Sequence, residues 1–405
     1  MAKSTGSDRL PRGKRVAFYL ALLVFAGVIA AVLGEIALRV FPIPGIRYHS
    51  FYYDPVTGGT SYPHSTLWYR GDDGVLIRHR TNAWGFADVE HEMAAAPGTL
   101  RIGFFGDSYT EAVQVPLEAA FFRRVEAGLN ARAGDLSSLR TRDGRAVREV
   151  ETLAFGVPGR STLQSWLESR NWVRPLDLDY VVYVFVENDP ADQIRSLKQA
   201  DTCPYPVLAA DSFTIDDSFN RTYAYKTSWW HRAVQRVKAH SLLVSTVKER
   251  TRLLQAYGIK RAVTPADRTG GEGAAGSPMR PSTWPPALVQ EGWTLQERVM
   301  DRWRRDVERD GRCFVIMRVP REELVGVPVD QQDSWTPRLQ DWCARNGVPL
   351  VDPTPIFIER MKAGEKMHHD HFTPEGHRAF AESFVQFMVE GGGKASSDST
   401  AVPLE

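Results

Sequence analysis

The side chains best suited to chemistry in this sequence are a serine and a histidine that lie far apart along the chain. Ser108 stands in GFFGDSYTEA (103–112), directly after an apolar run, and His371 stands in HHDHFTPEGH (368–377), directly before a Thr-Pro helix start. A serine hydroxyl becomes a nucleophile only if a base accepts its proton and nearby donors stabilise the oxyanion formed on attack. Histidine is the most frequent base in such a pair. The two positions therefore predict a nucleophile and a base, provided that the fold brings them together.

Two further turns could supply the donors that an oxyanion needs. In FGVPGRST (155–162), Gly156 and Gly159 permit a tight turn and a close approach of the bare backbone. In VFVENDPAD (184–192), Asn188 carries a side-chain amide just beyond another apolar run. Because parallel strands end at a common edge of a sheet, these turns are expected at one place.

Together the four turns resemble the SGNH (GDSL-type) hydrolase family. The matching blocks occur in the family's order and are GDS at 106–108, GVPG at 156–159, END at 187–189 and HFTPEGH at 371–377. Gly-Asp-Ser alone is a common turn, whereas four ordered blocks at the ends of apolar runs are a specific signal. The resemblance covers about residues 100–190 and 312–388.

The resemblance implies a role for each matched residue. Ser108 is implied as the nucleophile and His371 as the base that accepts its proton. The oxyanion hole is implied to consist of the N–H groups of Ser108 and Gly159 together with the Asn188 side-chain amide. The implied fold is flavodoxin-like with about five parallel strands, and no cofactor is expected.

One member of the family's pattern is missing. The family carries an aspartate three residues before the histidine, where it orients the imidazole, and that position is His368 here. The nearest acid is Asp370, which could orient His371 only if the turn folds tightly, because successive residues of an extended segment point to opposite sides. The D-x-H spacing of polysaccharide O-acetyl-transferring relatives is not matched either. The alternatives are a Ser–His dyad held by a main-chain carbonyl, or an acid from an insertion in the domain.

Each of these residues also has a purely structural interpretation. Ser108 could be a helix N-cap, Asn188 a turn residue, and His371 a capping or core histidine. The histidine-rich segment could suggest zinc, but it has no partner motif with metal-ligand spacing, so no metal site is expected. Asp352, in VPLVDPTP, is expected to be a strand-end turn residue. The presence of all four blocks favours the catalytic interpretation.

The elements that must position these turns follow from five short apolar runs. They are LRIGFF (100–105), VETLAF (150–155), DYVVYVFV (179–186), CFVIMRV (313–319) and VPLVD (348–352). Most are separated by segments long enough for a crossover helix, which predicts an α/β fold, a three-layer sandwich with a parallel sheet covered on both faces. Thr336 and Thr373, each followed by proline, predict the starts of two helices, one ending at Gly347 and the other at about Glu390.

The N-terminal region predicts a membrane anchor. Residues 1–15 carry five basic residues and one acid, and residues 16–34 carry no charge. Nineteen helical residues come close to the roughly 30 Å hydrocarbon thickness of a bilayer. A cleaved secretory signal is the competing interpretation, but no clear small-residue cleavage site follows the span. We expect an uncleaved signal anchor over residues 16–41, with a cytoplasmic N-terminus and a periplasmic or extracellular body.

The residues after the anchor are divided into a stalk, a domain with an insertion, and a tail. Residues 43–98 predict a stalk and edge extension of small strands, and residues 99–390 the hydrolase-like domain, interrupted by an insertion at about 190–312. The stretch 264–286 and the tail 391–405 have too little apolar content to fold alone and are expected to be flexible.

Within the insertion, residues 229–256 predict one amphipathic helix with a basic excess. Its six basic residues face a single acid, Glu249, and Trp229 and Trp230 begin it; the basic residues are Arg232, Arg236, Lys238, Lys248, Arg250 and Arg252. It could bind anionic lipid headgroups or guide an anionic substrate. The competing interpretation is a solvated face of a helical cap over the sheet.

Composition narrows the classes of function. Fifty Lys and Arg residues against 49 Asp and Glu residues give a net charge of +1. This excludes binding of nucleic acid through a broadly positive surface. The three cysteines, Cys203, Cys313 and Cys343, form neither CxxC nor zinc spacing and cannot all pair within one chain. They indicate no disulfide framework.

The sequence thus predicts a membrane-anchored serine esterase that hydrolyses acyl esters, with acetyl favoured, of a cell-envelope or exported glycan. The first alternative is an O-acyltransferase that passes the acyl group to a surface polysaccharide. The second, suggested by the missing acid, is an inactive glycan-binding or assembly protein of the same fold. The expected partners are an acylated carbohydrate or another ester substrate and the membrane; no protein partner is predicted.

Overall fold

The computed structural model describes residues 11–41, 51–70, 75–132, 134, 136, 139–248, 250–251, 280–369 and 371–391. Several sequence predictions lie outside these residues. They concern Asp370, Arg252, the stretch 264–279 and the tail from 392.

Eleven strands are present in the described residues. They are β1 (Phe51–Asp54), β2 (Gly58–Ser61), β3 (Thr66–Arg70), β4 (Leu76–Arg80), β5 (Thr99–Gly106), β6 (Glu149–Gly156), β7 (Tyr180–Phe185), β8 (Tyr205–Ala209), β9 (Ser212–Asp216), β10 (Cys313–Arg318) and β11 (Leu350–Val351). Five of them form a parallel sheet in the order β11-β10-β7-β5-β6, which is the flavodoxin-like order. The other six form antiparallel pairs, β1-β2, β3-β4 and β8-β9.

The main helices of the described residues run as follows. They are α1 (Arg12–Val40), α2 (Ser108–Glu111), α3 (Phe121–Asn130), α4 (Thr162–Trp172), α5 (Asp189–Asp192), α6 (Arg195–Lys198), α7 (Phe219–Thr222), α8 (Trp229–His240), α9 (Pro286–Arg309), α10 (Thr336–Asn346), α11 (Thr354–Lys362) and α12 (Pro374–Val389).

All five strands expected from the apolar runs are present, and the predicted α/β fold with a parallel sheet is confirmed. Side chains of β5 alternate between the two faces, as strand geometry requires. Ile102 and Phe104 join a core made with α3 and α12, whereas Phe105 joins a second core made with α4, α9 and α10. Because both faces are covered, every residue of β5 and β7 is buried.

The two predicted helix starts differ in their caps. The Thr373 side chain accepts a hydrogen bond from Gly376 N–H at 3.1 Å, so this N-cap is confirmed. Thr336, expected as an N-cap, is instead the first helical residue of α10. The reason is tertiary: the Glu187 carboxylate accepts from Trp335 N–H at 2.6 Å and from the Thr336 hydroxyl at 2.7 Å.

The chain between β7 and β10 contains both strands and helices, and part of it belongs to the core of the domain. It contains the β8-β9 hairpin and α8, and it ends in α9, whose Trp293, Val299 and Trp303 lie in the core beside the sheet. The predicted single helix over 229–256 is wrong. Helix α8 ends at His240, and a second helical segment begins at residue 242, because the Glu35 carboxylate of α1 accepts from Leu242 N–H at 3.0 Å.

Helix α1 is the one helix among the described residues that is long and apolar enough to cross a membrane. None of its residues is buried, so its apolar side chains have no protein core around them. Its last turns contact the body through Leu38, which packs on Leu242 and Trp68.

Candidate active site

Ser108 lies at the carboxyl end of β5, the strand between β7 and the edge strand β6. Asp107 follows the strand as the N-cap of α2, and its carboxylate accepts a hydrogen bond from Tyr109 N–H at 2.9 Å. Helix α2 is a single turn that ends at Ala112 in the left-handed conformation, with φ 54°. The sharp turn leaves Ser108 half-buried beside two buried neighbours, Asp107 and Thr110.

The structure brings Ser108 and His371 together across 263 positions of sequence. Ser108 Oγ lies 2.7 Å from His371 Nε2, a hydrogen-bond distance. The Tyr109 ring packs on the imidazole, with ring centroids 4.7 Å apart. The main-chain N–H of His369 also donates to the His371 carbonyl at 2.7 Å, which closes the turn that carries the imidazole.

Gly159 lies in the turn after β6, the edge strand next to β5. The two strands end in register at Gly106 and Gly156, so both turns leave the sheet at the same level. Gly159 has φ +68°, a left-handed conformation that favours glycine, and its position is exposed. The next residue, Arg160, is buried and holds the turn through a hydrogen bond of 2.5 Å to Glu168.

Asn188 follows β7, the strand on the other side of β5. It occupies the N-cap position of α5, but its side chain does not cap that helix. Instead its amide donates to the Asp192 carboxylate at 3.0 Å, which sets the orientation of the amide plane. An amide nitrogen has two hydrogens, so one N–H remains for a further acceptor.

Lys198 is a site residue that the sequence analysis missed. From α6, its ammonium donates to the Gly159 carbonyl at 2.7 Å and to Gln164 Oε1 at 3.0 Å. It also lies 3.9 Å from Asp192, the carboxylate that holds the Asn188 amide. Lys198 thus joins the Gly159 turn to the Asn188 turn. No local sequence signal marks it, since α6 is a four-residue helix in the chain after β7.

Buried carboxylates surround this edge of the sheet. Burial raises the pKa of Asp107 to about 7, although the bond from Tyr109 N–H lowers it. Burial also raises the pKa of Asp189 well above its ordinary value, and the nearby charge of Asp107 adds to this rise. The Asp189 carboxyl bonds to the Tyr183 hydroxyl at 2.6 Å and to Val186 N–H at 2.8 Å. These buried polar groups lie next to the turns that follow β5 and β7.

The position that carries an aspartate in the SGNH pattern is filled here by a core residue. His368 is 5% exposed and packs between the rings of Phe357 and Phe372. Burial lowers its pKa to about 4. Asp370, the acid nearest to His371, lies outside the described residues, so its role as the orienting acid stays a prediction.

Asp352 takes the structural role expected of it. Its carboxylate accepts from Thr354 N–H at 2.9 Å and pairs with Arg318 at 3.0 Å, at the start of α11. In the described ranges no group of three His, Cys, Asp or Glu side chains is placed to hold a metal ion. None of the three cysteines, Cys203, Cys313 and Cys343, forms a disulfide in the described part of the chain.

No protein-family model matches this chain, and no curated protein matches it. Among solved structures, an acetyl xylan esterase has a TM-score of 0.35 and 13% identity, over 71% of this chain and 98% of that one. A protein of the G-D-S-L family from Desulfitobacterium hafniense DCB-2 has a TM-score of 0.34 and 8% identity. The match covers 71% of this chain and 98% of that one.

A third solved structure is an alpha/beta hydrolase enzyme from the metagenome of Lake Arreo, Spain. It has a TM-score of 0.37 and 13% identity, and the match covers 75% of this chain and 100% of that one. Because the TM-scores of all three likenesses are low, they carry no argument about function. The fold itself defines an α/β protein with a flavodoxin-like sheet, and at its carboxyl edge a serine and a histidine are within hydrogen-bond distance.

Proposed function

We propose that this protein is a membrane-anchored serine esterase of the SGNH type. The single observation that carries the proposal is the 2.7 Å distance between Ser108 Oγ and His371 Nε2. A serine bonded to an imidazole nitrogen can pass its proton to that nitrogen as the oxygen attacks a carbonyl carbon. The proposed donors to the resulting oxyanion are the Gly159 N–H and the Asn188 side-chain amide, in the turns that follow the two strands beside β5.

The proposed reaction has two halves. Ser108 attacks the ester carbonyl while His371 accepts the hydroxyl proton, and the tetrahedral intermediate collapses when the alcohol leaves with that proton. Water then gives a proton to His371 and attacks the acyl carbon, and the carboxylic acid leaves as Ser108 recovers its proton. Asp370 is the proposed orienting acid.

The proposed substrate is an acyl ester, with acetyl favoured, on a glycan of the cell envelope. Helix α1 supports this class, since an anchored enzyme works on material close to the membrane. Transfer of the acyl group to a sugar hydroxyl is the alternative fate of the same acyl-enzyme. Incubation with an acetylated oligosaccharide and an unacetylated acceptor, followed by mass spectrometry, separates the two. Free acetate alone supports hydrolysis, and an acetylated acceptor contradicts it.

The nucleophile is tested by Ser108→Ala in the full chain in detergent. We expect hydrolysis of p-nitrophenyl acetate to fall by roughly 10³-fold or more, because the acyl-enzyme cannot form. Ser196→Ala, at an exposed serine of α6, is the matched control and should keep full activity. A fluorophosphonate probe should label the wild type and the control but not Ser108→Ala. Undiminished hydrolysis by Ser108→Ala would refute the proposed mechanism.

We also propose that residues 1–15 are cytoplasmic and that the body lies on the far side of the membrane. The support is the excess of Lys and Arg before the apolar span. In a Gram-negative host, alkaline phosphatase fused after Glu405 should be active, and green fluorescent protein at the same position should be dark. The opposite pair of results would contradict this orientation.

A further inference from the structure

An unusual concentration of exposed apolar side chains lies on and around α8. Outside α1 and its C-cap residue Phe41, the five most exposed large apolar residues of the described chain all fall between 225 and 247; they are Trp229 at 77%, Val237 at 66%, Trp230 at 64%, Tyr225 at 60% and Val247 at 59%. Single exposed apolar residues are normal on a soluble surface, but clustering of the largest ones marks an interaction site.

The exposed residues of α8 form one stripe. At 100° per residue, Trp229, Ala233, Val237 and Trp230 fall within about 100° of the helix circumference. Arg232 and Arg236 lie one turn apart along one edge of this stripe, and both are exposed. Residues 219–248 contain six Lys and Arg residues and no Asp or Glu. An apolar stripe bordered by arginine is the pattern of a helix that lies in a membrane interface.

Helix α8 is also tied to the end of the membrane-spanning candidate α1. Arg39, in the last turn of α1, donates to the His240 carbonyl at 2.9 Å. The Glu35 carboxylate accepts from the Ser241 hydroxyl at 2.9 Å and from Leu243 N–H at 3.0 Å. Since α1 leaves the hydrocarbon near these residues, the carboxyl end of α8 is held at the level of the membrane surface.

The amino end of α8 is held to the body. The Ser228 hydroxyl caps the helix by accepting from His231 N–H at 3.3 Å. In the segment just before it, the Tyr53 hydroxyl donates to the Asn220 side chain at 2.5 Å, and Asn220 donates to the Pro55 carbonyl at 2.8 Å. With both ends held, α8 keeps its apolar stripe exposed as a rigid feature of about 18 Å in length.

A basic cleft of about 400 Å³ opens beside the junction of α1 and α8. Arg39, Arg78, His64 and His240 contribute to its lining, together with Trp68. The Arg78 guanidinium lies over the Trp68 ring, 5.3 Å from its centroid, which leaves the charge at the cleft wall. Arg39 also pairs with Glu35 at 2.9 Å, and His64 lies 3.2 Å from Glu90. The attraction of this cleft for an anionic lipid headgroup therefore comes chiefly from Arg78.

We propose that the face formed by the α8 stripe and this cleft rests on an anionic bilayer surface, with Trp229 and Trp230 inserted at the headgroup level. The protein is thereby held to the membrane at two places, by α1 and by α8. Rotation about α1 is restricted, and the body is kept in one orientation above the bilayer. This proposal is independent of the chemistry assigned to Ser108.

The test uses the full chain in lipid nanodiscs and follows hydrogen–deuterium exchange of residues 229–240. Exchange should be slower in nanodiscs of phosphatidylcholine with 30% phosphatidylglycerol than in pure phosphatidylcholine or in detergent. Arg232→Gln/Arg236→Gln should reduce that protection roughly 30-fold, since two basic residues near an anionic surface together contribute about 2 kcal/mol. The matched charge control is Arg145→Gln/Arg309→Gln, at two exposed arginines, and it should change nothing.

A second readout follows the tryptophans. Brominated phosphatidylglycerol should quench part of the wild-type fluorescence, and this part should be lost in Trp229→Ser/Trp230→Ser but retained in the apolar control Val207→Ser/Leu208→Ser. Both tryptophans are exposed, so the double variant should fold. Equal exchange of residues 229–240 in all three environments would overturn the proposal. If residues 229–240 are protected in detergent and this protection disappears on dilution, the face contacts a second copy of the chain and the proposal is wrong.

Discussion

At the scale of single residues, Lys198 connects the two turns proposed to hold the oxyanion. Its side chain is 10% exposed, and its ammonium reaches the Gly159 carbonyl, Gln164 and, at 3.9 Å, Asp192. A half-buried lysine so placed restricts the peptide plane after Gly159 and the carboxylate that orients Asn188. We infer that Lys198 is a positioning residue for the proposed site.

Lys198→Met should lower kcat by roughly 10- to 100-fold, because displaced oxyanion donors stabilise the transition state poorly. KM should change little, since the lysine bonds to the protein and not to the substrate. Steady-state kinetics with p-nitrophenyl acetate give both values, with Lys362→Met, at an exposed lysine, as the control. A rise in KM at constant kcat would instead place Lys198 in substrate binding.

At the scale of elements, the turn that carries Ser108 depends on the absence of a side chain at Gly156 on the neighbouring strand β6. A Cβ at Gly156 would lie 2.1 Å from Glu111 N and 2.4 Å from the Thr110 carbonyl carbon. Both atoms belong to the backbone of α2, which carries Ser108, and backbone cannot move aside as a flexible side chain can. The last residue of β6 therefore sets how closely the turn of Ser108 approaches the sheet.

Gly156→Ala should push α2 away from β6 and separate Ser108 from His371. We expect loss of most esterase activity and a decrease in the free energy of unfolding of about 1–3 kcal/mol, typical of overpacking. Activity assays and chemical denaturation measure the two effects. Gly59→Ala is the control, because a Cβ there would meet no atom within 4 Å. Full activity in Gly156→Ala would show that the turn tolerates the shift.

At the scale of the whole molecule, a buried histidine joins the chain before the sheet to the sheet itself. His91 lies 2.6 Å from Glu151 of β6 and 3.1 Å from Asp88, and its side chain is 2% exposed. Burial alone lowers the pKa of His91, but the hydrogen bonds and charges of these two carboxylates raise it to about 9. The protonated imidazole thus stabilises the folded protein.

Stability should therefore depend on pH through His91. Because its pKa is higher in the folded than in the unfolded chain, its contribution is complete below about pH 6.5 and is lost as the pH rises to about 9. The loss is on the order of 3 kcal/mol. Thermal unfolding from pH 6 to pH 9.5 should show this decline in the wild type and in His64→Gln, whose histidine is half-exposed. An equally steep decline in His91→Gln would contradict the assignment.

Much of this fold was predictable because the information is local. A strand buried on both faces needs a continuous apolar run, so LRIGFF and DYVVYVFV predict β5 and β7 without reference to the rest of the chain. The cap of α12 was also predictable, since Thr373 and Gly376 are three residues apart. The cap of α10 and the break at Ser241 were not, because Glu187 and Glu35 supply the hydrogen bonds at those positions from 149 and 206 residues away.

The sequence alone determined which residue types stand at the ends of which strands, and hence that a serine, a histidine and an amide were candidates for one site. Only the tertiary structure decided that Ser108 and His371 lie 2.7 Å apart, and that Lys198 bridges the neighbouring turns. It also decided that the carboxyl end of α8 is bonded to the end of α1, while the tryptophans at its amino end are exposed. The physical reason is that strand and helix periodicity are encoded by neighbouring residues, whereas contacts between turns depend on how the helices pack across the sheet.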